Sequence, residues 1–323
     1  MRNSAALEAA SVVEGVRRGT PRAIARAISA IENAEPGAAQ IVQELFPSTG
    51  NALLVGLTGA PGTGKSSLAN RLAAHYRAQG KSVGIIAVDP TSPFTGGALL
   101  GDRIRMQQHA TDEGIYIRSM ATRGFLGGLA RASGDAALVL DAAGKDLILI
   151  ETVGVGQDEV DIVRLADVTV LLLVAGMGDD VQNFKAGVME IADVFVINKA
   201  DRSDTDRLEQ ELKVVLGLSQ RADGWQPPIV KTVAPDGIGV PELATALDHY
   251  GAHIEQAGLR EQKRIERWQE RLLELIRQQA LERVLKAGVG KDQLGDYARQ
   301  IARRQRDPYS VVEELLRAAG IEE

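Results

Sequence analysis

The sequence predicts an α/β fold, in which a parallel β-sheet is flanked by helices and further helical segments lie at both ends of the chain. Between residues 51 and 253, short apolar runs bounded by Gly, Asp or Pro alternate with helix-like stretches, as in a parallel sheet covered on both faces. Outside that region, apolar residues recur at helical spacing in a charged background. We therefore divide the chain into an N-terminal helical segment, 1–50, a central domain, 51–253, and a C-terminal helical extension, 254–323.

The N-terminal segment contains a clear helix start. Thr20 is a typical N-cap residue, and Pro21 suits the first helical position because its missing N–H would have no helical acceptor there. We predict a helix over 21–34.

The strands of the central domain are predicted by apolar runs at 52–57, 83–88, 147–150, 168–174 and 194–197, with a later run at 229–234. In open parallel sheets, ligands bind outside the carboxyl ends of the strands. The residues that follow each run are therefore the candidates for a functional site.

The C-terminal extension is predicted to be a long amphipathic helix over 260–286, interrupted at 288–291 by the residues GVGK. Pro308 and the pattern Ser310-x-x-Glu313 predict a capping box that opens a last short helix.

Composition excludes several classes of function. The 323 residues carry a net charge of −6 and contain no cysteine, so disulfides, thiolate metal sites and a cysteine nucleophile are excluded. The mildly acidic net charge, whose excess lies in the central domain, gives no overall attraction to nucleic acid or an anionic membrane. No apolar run is long enough to span a bilayer, and residues 1–15 lack the features of a signal or transit peptide. We expect a cytoplasmic protein.

A phosphate-binding loop follows the first predicted strand. Residues 59–66, GAPGTGKS, match the pattern G-x-x-x-x-G-K-[ST] between a strand and a helix-like stretch. The glycines allow backbone N–H groups to surround phosphate oxygens, the lysine reaches the β- and γ-phosphates, and the serine hydroxyl ligates Mg²⁺. The expected nucleotide-binding residues are Gly59, Gly62, Thr63, Gly64, Lys65, Ser66 and Ser67.

The run at 147–150 leads into Glu151-Thr-Val-Gly154. An acidic residue at this strand end suits a direct or water-mediated contact with Mg²⁺, and the Gly154 amide suits sensing of the γ-phosphate. Most phosphate-loop proteins have Asp at this position, so the longer Glu151 side chain is a departure.

The run at 194–197 leads into Asn198-Lys199-Ala200-Asp201, an N-K-x-D sequence typical of guanine recognition. The Asp201 carboxylate can accept hydrogen bonds from the ring N–H and the exocyclic amine of guanine, a donor pair that adenine lacks. The backbone amide of Ala234, after the last apolar run, could face the guanine carbonyl oxygen. These residues predict GTP and GDP as ligands.

Two further stretches are candidate nucleotide-sensitive loops. Asp89 ends the second strand and Asp102 follows a Gly-rich stretch, so residues 90–105 could order around Mg²⁺ and the γ-phosphate. Asp89 could equally be a turn residue before Pro90. Residues 176–187 combine three glycines, two aspartates and Lys185, and could be a second such loop or a solvated polar loop.

The sequences of these stretches resemble those of the MeaB/ArgK family of P-loop GTPases, which act as chaperones for adenosylcobalamin-dependent acyl-CoA mutases such as methylmalonyl-CoA mutase. The resemblance covers nearly the whole chain and is carried by GAPGTGKSS, VDPTSPFTGGALLGDRIRM, ETVGVGQDEVDI and GMGDDVQNFKAGVMEIADVFVINKAD.

The resemblance implies a role for individual residues. Lys65 would bind phosphate, and Ser66, Asp102 and Glu151 would surround Mg²⁺. Asp89 would be a candidate for positioning the attacking water, so the implied catalytic residues are Lys65, Asp89 and Glu151. Asn198, Lys199 and Asp201 would hold guanine, and Gln182 and Lys185 would belong to an additional switch loop. The family forms homodimers through its C-terminal helices, which suits the 260–286 helix.

The expected reaction is hydrolysis of GTP to GDP and phosphate. Val155 stands where many GTPases place a water-orienting Gln, and Gln157 is out of register. We therefore hypothesise that intrinsic turnover is slow and rises when the partner mutase reshapes the switch loops. The coupling would gate cofactor loading and protect or reactivate the mutase.

Two other classes of protein share such a nucleotide-binding core. A GTP-dependent metallochaperone would need Cys or His ligands, but the chain has no Cys and four His. Of these, His249 and His253 are spaced i, i+4 and could share a helical face, although Gly251 between them weakens that helix. A P-loop small-molecule kinase would need an acceptor pocket and a base, for which Asp89 is the candidate.

Overall fold

The computed structural model describes residues 2–89, 112–121, 128–152, 165–176, 192–218, 221–286 and 291–321. The chain forms two compact units, Met1–Arg260 and Glu261–Glu323. The predicted N-terminal segment and the predicted central domain both lie within the first unit.

The first unit contains a sheet with the strand order β3-β2-β4-β1-β5-β6-β7, in which every neighbouring pair is parallel. The strands are β1 (Leu53–Thr58), β2 (Val83–Asp89), β3 (Ile115–Ala121), β4 (Leu147–Glu151), β5 (Val168–Val174), β6 (Val194–Asn198) and β7 (Ile229–Thr232). Its helices are α1 (Arg2–Arg17), α2 (Pro21–Glu32), α3 (Ala38–Leu45), α4 (Lys65–Ala78), α5 (Gly128–Ala142), α6 (Thr205–Leu218) and α7 (Val240–Gln256). The predicted α/β fold is confirmed.

Helices cover both faces of the sheet, which is why its central strands are continuously apolar. On one face, alternate strand residues such as Val55 and Leu57 form a buried core with α4 and α7. On the other face, Ile148 and Ile150 pack with α1, α2, α3 and α5, and Phe195 packs with α6. Because all neighbouring strands are parallel, their C-terminal ends lie together along one side of the sheet, which is called its carboxyl edge below.

Acidic residues at the opposite edge of the sheet belong to the fold. Asp146, Asp167 and Asp193 each precede a strand and accept a hydrogen bond from a backbone N–H at the neighbouring strand, at Ser82, Leu54 and Thr169 respectively (2.7, 3.1 and 2.9 Å). Although burial opposes it, the hydrogen bonds from Ser82 lower the pKa of Asp146. Part of the acidic excess of the central domain thus stabilises strand starts and does not face a ligand.

The second unit is helical. Helix α8 (Leu259–Lys286) begins in the first unit and continues into the second, where α9 (Lys291–Ala302) and α10 (Pro308–Ala318) follow. Tyr297, Val311 and Leu315 form a small buried core with Val284 and Ile301. Among the described helices, none combines the length and the apolar character needed to cross a bilayer.

The structure differs from the sequence prediction at two elements. Strand β3 was not predicted, because it is an edge strand whose half-buried middle alternates apolar and polar residues (Ile117, Arg118) and lacks a continuous apolar run. The predicted Ser310-x-x-Glu313 capping box is wrong: Asp307 is the N-cap, and its carboxylate accepts from the backbone N–H groups of residues 309 and 310. Aspartate and serine are equally good caps, and the N1 preference of Pro308 selects the residue before it.

Candidate functional site

The phosphate-loop sequence forms a tight turn between β1 and α4. Gly59, Gly62 and Gly64 all have positive φ, at 143°, 80° and 96°, where residues with a Cβ are strained. Two of them are also required by close approach: a Cβ on Gly59 would collide with the carbonyl oxygen of Leu172, and one on Gly64 would collide with the side-chain amide of Asn198. The loop therefore depends on glycine both for its backbone shape and for its fit against β5 and β6.

Lys65 is buried and begins helix α4 at the end of the loop. Its ammonium donates to the carbonyl oxygens of Gly59 and Ala60 at 2.7 and 3.1 Å, and so lies across the loop. Thr63 is also buried and donates its hydroxyl to Ala60 at 2.8 Å, while Ser67 is half-buried in the first turn of α4. The first N–H groups of a helix lack helical acceptors, so the N-terminus of α4 carries a partial positive charge. The loop therefore places the Lys65 ammonium beside a second positive group.

Ser66 and Glu151 meet at the carboxyl edge of the sheet. The Ser66 hydroxyl donates to Glu151 Oε1 at 2.6 Å, and both side chains are buried. The contact arises because β4, which ends in Glu151, pairs directly with β1, which leads into the loop. A hydroxyl and a carboxylate oxygen are the hard donors that Mg²⁺ prefers. Glu151, whose side chain is longer than that of the aspartate usual at this position, thus contacts Ser66 directly.

Asn198 connects the phosphate loop to the end of β7. Its side-chain amide donates to the Thr63 carbonyl at 2.7 Å, and its Oδ1 accepts from the Thr232 hydroxyl at 3.0 Å and from the Ala234 N–H at 3.1 Å. The side chain is buried. The amide of Ala234 is therefore already hydrogen-bonded, and a guanine carbonyl would have to share it with Asn198.

Lys199 and Asp201 lie beside this connection. Lys199 has a left-handed backbone (φ 56°) and donates its ammonium to the Gly62 carbonyl at 2.8 Å. Asp201 is exposed, three residues after the buried Asn198. In the N-K-x-D sequence, Asn198 is therefore buried at the end of β6, Lys199 contacts the phosphate loop, and Asp201 is exposed at the surface.

Two residues of this edge were not predicted from the sequence. Thr232 pairs with Asn198 in the β6–β7 register, and its hydroxyl completes the hydrogen bonds of Asn198. Arg71 on α4 donates to the Pro235 carbonyl in the 3-10 turn Ala234–Asp236. Thr232 could have been found from its place at the end of the strand after the N-K-x-D sequence. Arg71 could not, because its partner is a backbone carbonyl 164 residues away.

Several predicted site residues lie outside the described residues. Asp102, Gly154, Gln182 and Lys185 fall in the ranges that the structure leaves out. Asp89 ends β2 at the same sheet edge as the loop, but its side chain lies outside the description.

The histidine pair of the metallochaperone alternative lies on α7. His253 packs against Trp225, with ring centroids 5.1 Å apart, and its Nε2 is 3.2 Å from the Asp223 carbonyl oxygen. His249 is exposed. The environment of His253 is that of a packed aromatic cluster.

A parallel sheet with a phosphate loop after β1 and an N-K-x-D sequence at the end of β6, joined through Asn198, defines the guanine-nucleotide-binding class of P-loop proteins. Residues 24–289 match the family model described as "Methylmalonyl Co-A mutase-associated GTPase MeaB". The chain belongs to this family of GTPases, and it hydrolyses GTP.

Similar proteins cover nearly the whole chain. A provisionally named GTPase of Pyrococcus abyssi is 48% identical over 309 residues, 95% of each chain. The GTPase ArgK of Escherichia coli is 34% identical over 305 residues, 90% of each chain. The crystal structure of an LAO/AO transport system kinase superposes with a TM-score of 0.72 at 26% identity, covering 95% of this chain and 96% of that one.

We expect Arg71→Ala to speed the release of guanine nucleotide. The variant frees the turn that carries Ala234, and losing one hydrogen bond, about 1 kcal/mol, corresponds to a roughly fivefold faster dissociation. Stopped-flow release of a fluorescent GDP analogue measures this rate. Arg207→Ala on the exposed face of α6 is the matched control; equal release from both variants would show that the turn does not depend on Arg71.

Proposed function

We propose that this GTPase is a Mg²⁺-dependent cytoplasmic chaperone of an adenosylcobalamin-dependent acyl-CoA mutase of the methylmalonyl-CoA mutase type. The observation that carries the proposal is the match of residues 24–289 to a family described as associated with that mutase. The chaperone would gate cofactor loading and protect or reactivate the mutase, with GTP as the ligand that is hydrolysed and GDP as its product.

The nucleotide would lie along the carboxyl edge of the sheet. Lys65, already across the loop, would turn its ammonium toward the β- and γ-phosphates, while the loop glycines and Ser67 present backbone N–H groups. Asp201, at the surface beyond Asn198, would accept from the two N–H donors of guanine. Lys199 would help to hold the loop in this conformation, through the hydrogen bond that its ammonium donates to the Gly62 carbonyl.

Mg²⁺ fits the residues present at the Ser66–Glu151 contact. Both are buried, both offer oxygen ligands, and they touch at 2.6 Å beside the phosphate loop. Ser66 would ligate the ion and Glu151 would orient Ser66 or ligate through water, with Asp102 as a further ligand from the sequence. When bound, Mg²⁺ offsets negative charge on the phosphates. The task of the chain is to hold the Ser66 hydroxyl in place for it.

Coupling to the mutase requires loops whose arrangement depends on the nucleotide. Residues 90–105 and 176–187, with Gln182 and Lys185, are the proposed switches, Asp89 is the proposed residue for positioning water, and Gly154 the proposed γ-phosphate contact. For GTP and the mutase to influence each other, the mutase must bind the two switch arrangements with unequal affinity.

Single-turnover hydrolysis with and without the mutase tests this function. We expect slow turnover by the protein alone, since no Gln occupies the position after Gly154, and faster turnover with the mutase. Release of inorganic phosphate without an added acceptor would also exclude the kinase alternative. A rate that is fast and insensitive to the mutase would contradict the proposed coupling.

We propose that two chains associate through α8. Six large apolar side chains on its described part are between 44% and 61% exposed: Ile265, Leu272, Leu273, Ile276, Leu281 and Leu285. Stable homodimers bury apolar surface of this kind.

A charge on that surface should dissociate the dimer. Ile276→Glu places a carboxylate among apolar contacts, and we expect the mass measured by light scattering to halve at micromolar concentration. Glu270→Gln on the same helix is the control. A wild-type mass equal to one chain would contradict the proposed dimer.

A further inference from the structure

Helix α9 ends in a conformation that is costly for its sequence. Arg304 has a left-handed backbone (φ 57°). Its N–H donates to the Ile301 carbonyl at 2.8 Å, and the next N–H, of Gln305, donates to the Gln300 carbonyl at 2.9 Å. These two bonds define a Schellman motif, in which the left-handed residue is usually glycine because a Cβ is strained there.

Within the described ranges, glycine stands at four other helix ends of this kind. The paired backbone bonds of the Schellman motif recur at Gly19, Gly80, Gly144 and Gly320. Ala34 ends α2 in the same way with φ 49°, so a Cβ is tolerated at one further site. Ala34 adds only that Cβ, whereas Arg304 adds a long charged side chain. A strained residue that keeps a functional group is a candidate for a role outside the fold.

Arg303 and Arg304 are exposed, and among the described side chains of residues 291–321 neither guanidinium forms an ion pair with a carboxylate. The other arginines of this hairpin are paired: Arg299 with Asp296, Arg306 with Glu314, and Arg317 with Glu313. The turn between α9 and α10 therefore presents two adjacent positive charges, whereas the neighbouring arginines are neutralised by ion pairs with carboxylates.

The turn is held by contacts on both sides. The Tyr297 hydroxyl and the Arg306 guanidinium donate to the Glu314 carboxylate at 2.7 and 2.6 Å, and these hydrogen bonds lower the pKa of Glu314. The Arg306 guanidinium also lies 5.3 Å from the centre of the Tyr297 ring. Asp307 caps α10 immediately after the turn. These contacts hold the turn that carries Arg303 and Arg304 in one conformation, so less backbone entropy is lost when a partner binds the two arginines.

We propose that Arg303 and Arg304 form a docking point for exposed carboxylates on the partner protein, which, resting on the proposed function, is the acyl-CoA mutase. Arginine forks pair with carboxylates in a bidentate geometry, and two adjacent forks suit two acidic side chains. A polyanion is disfavoured because nucleic acid binding needs several phosphate contacts, whereas residues 254–323 carry a net charge of only +1.

The experiment compares wild type, Arg304→Gly, Arg303→Gln and Ala34→Gly as full-length proteins. Calorimetric titration with the holo-mutase measures affinity, and thermal unfolding measures stability. Because glycine relieves the strain, we expect Arg304→Gly to raise the unfolding midpoint of the C-terminal unit by about 4 °C while weakening mutase binding about tenfold. Arg303→Gln should weaken binding without the gain in stability. Ala34→Gly should stabilise the first unit and leave binding unchanged.

The outcomes separate this inference from the proposed function. If the mutase binds wild type and both arginine variants equally, the docking point is wrong and the proposed function stands. If the mutase does not bind wild type, both fail. If the arginine variants lose binding to a DNA duplex and retain the mutase, the turn is a polyanion site and the inference is overturned. Basal GTP hydrolysis should be unchanged in all four proteins, since none of the three residues belongs to the phosphate loop, the Ser66–Glu151 contact or the N-K-x-D sequence.

Discussion

Lys65→Ala should abolish measurable GTP hydrolysis. Removing one donor that stabilises charge in the transition state lowers kcat by about 10²–10³-fold, and the variant also loses the ammonium that crosses the loop to Gly59 and Ala60. Triphosphate affinity should fall more than diphosphate affinity, because the lysine is expected to reach the γ-phosphate. Phosphate release and nucleotide titration measure the two effects.

A stability control is needed because Lys65 is buried and bonds to the loop. Thermal unfolding of Lys65→Ala in the absence of nucleotide shows whether the domain still folds. Lys81→Ala, which removes an exposed lysine 4.0 Å from Asp248 in the same unit, should hydrolyse GTP as wild type does. A folded Lys65→Ala with unchanged kinetics would show that this loop is not the catalytic site.

Asp201→Asn should remove the preference for guanine. The carboxylate is expected to accept two hydrogen bonds from the base, and asparagine keeps an acceptor only for the ring N–H. Losing the bond to the exocyclic amine removes about 1.5–3 kcal/mol, so GTP affinity should fall about 10–10²-fold. Xanthosine triphosphate carries a carbonyl where guanine carries the exocyclic amine. The new asparagine amide can donate to that carbonyl, so we expect xanthosine triphosphate to bind the variant better than GTP.

Competition between GTP, xanthosine triphosphate and ATP for a fluorescent GDP analogue measures this change. Asp204→Asn, at an exposed residue three positions further along the same turn and just before α6, is the matched control. If Asp201→Asn still selected GTP to the same degree, another residue would have to read the base.

The parts of the site that the sequence predicted are contiguous motifs. The phosphate loop and the N-K-x-D sequence are each only a few residues long, and their positions after apolar runs already placed them at strand ends. Strand β3 escaped prediction because its middle is half-buried at the sheet edge. The N-cap of α10 was misassigned because Ser310-x-x-Glu313 matches the capping-box pattern, whereas in the structure the Asp307 carboxylate accepts from the first N–H groups of the helix.

The sequence alone therefore determined the fold class, the family and the kind of ligand, because short motifs and the period of apolar residues are local properties of the chain. Only the tertiary structure decided which distant groups meet. Strand pairing brought Ser66 to Glu151, Asn198 to both Thr63 and Thr232, and helix packing brought Arg71 to Pro235. Such contacts depend on strand order and on backbone carbonyls, neither of which leaves a residue pattern in the sequence.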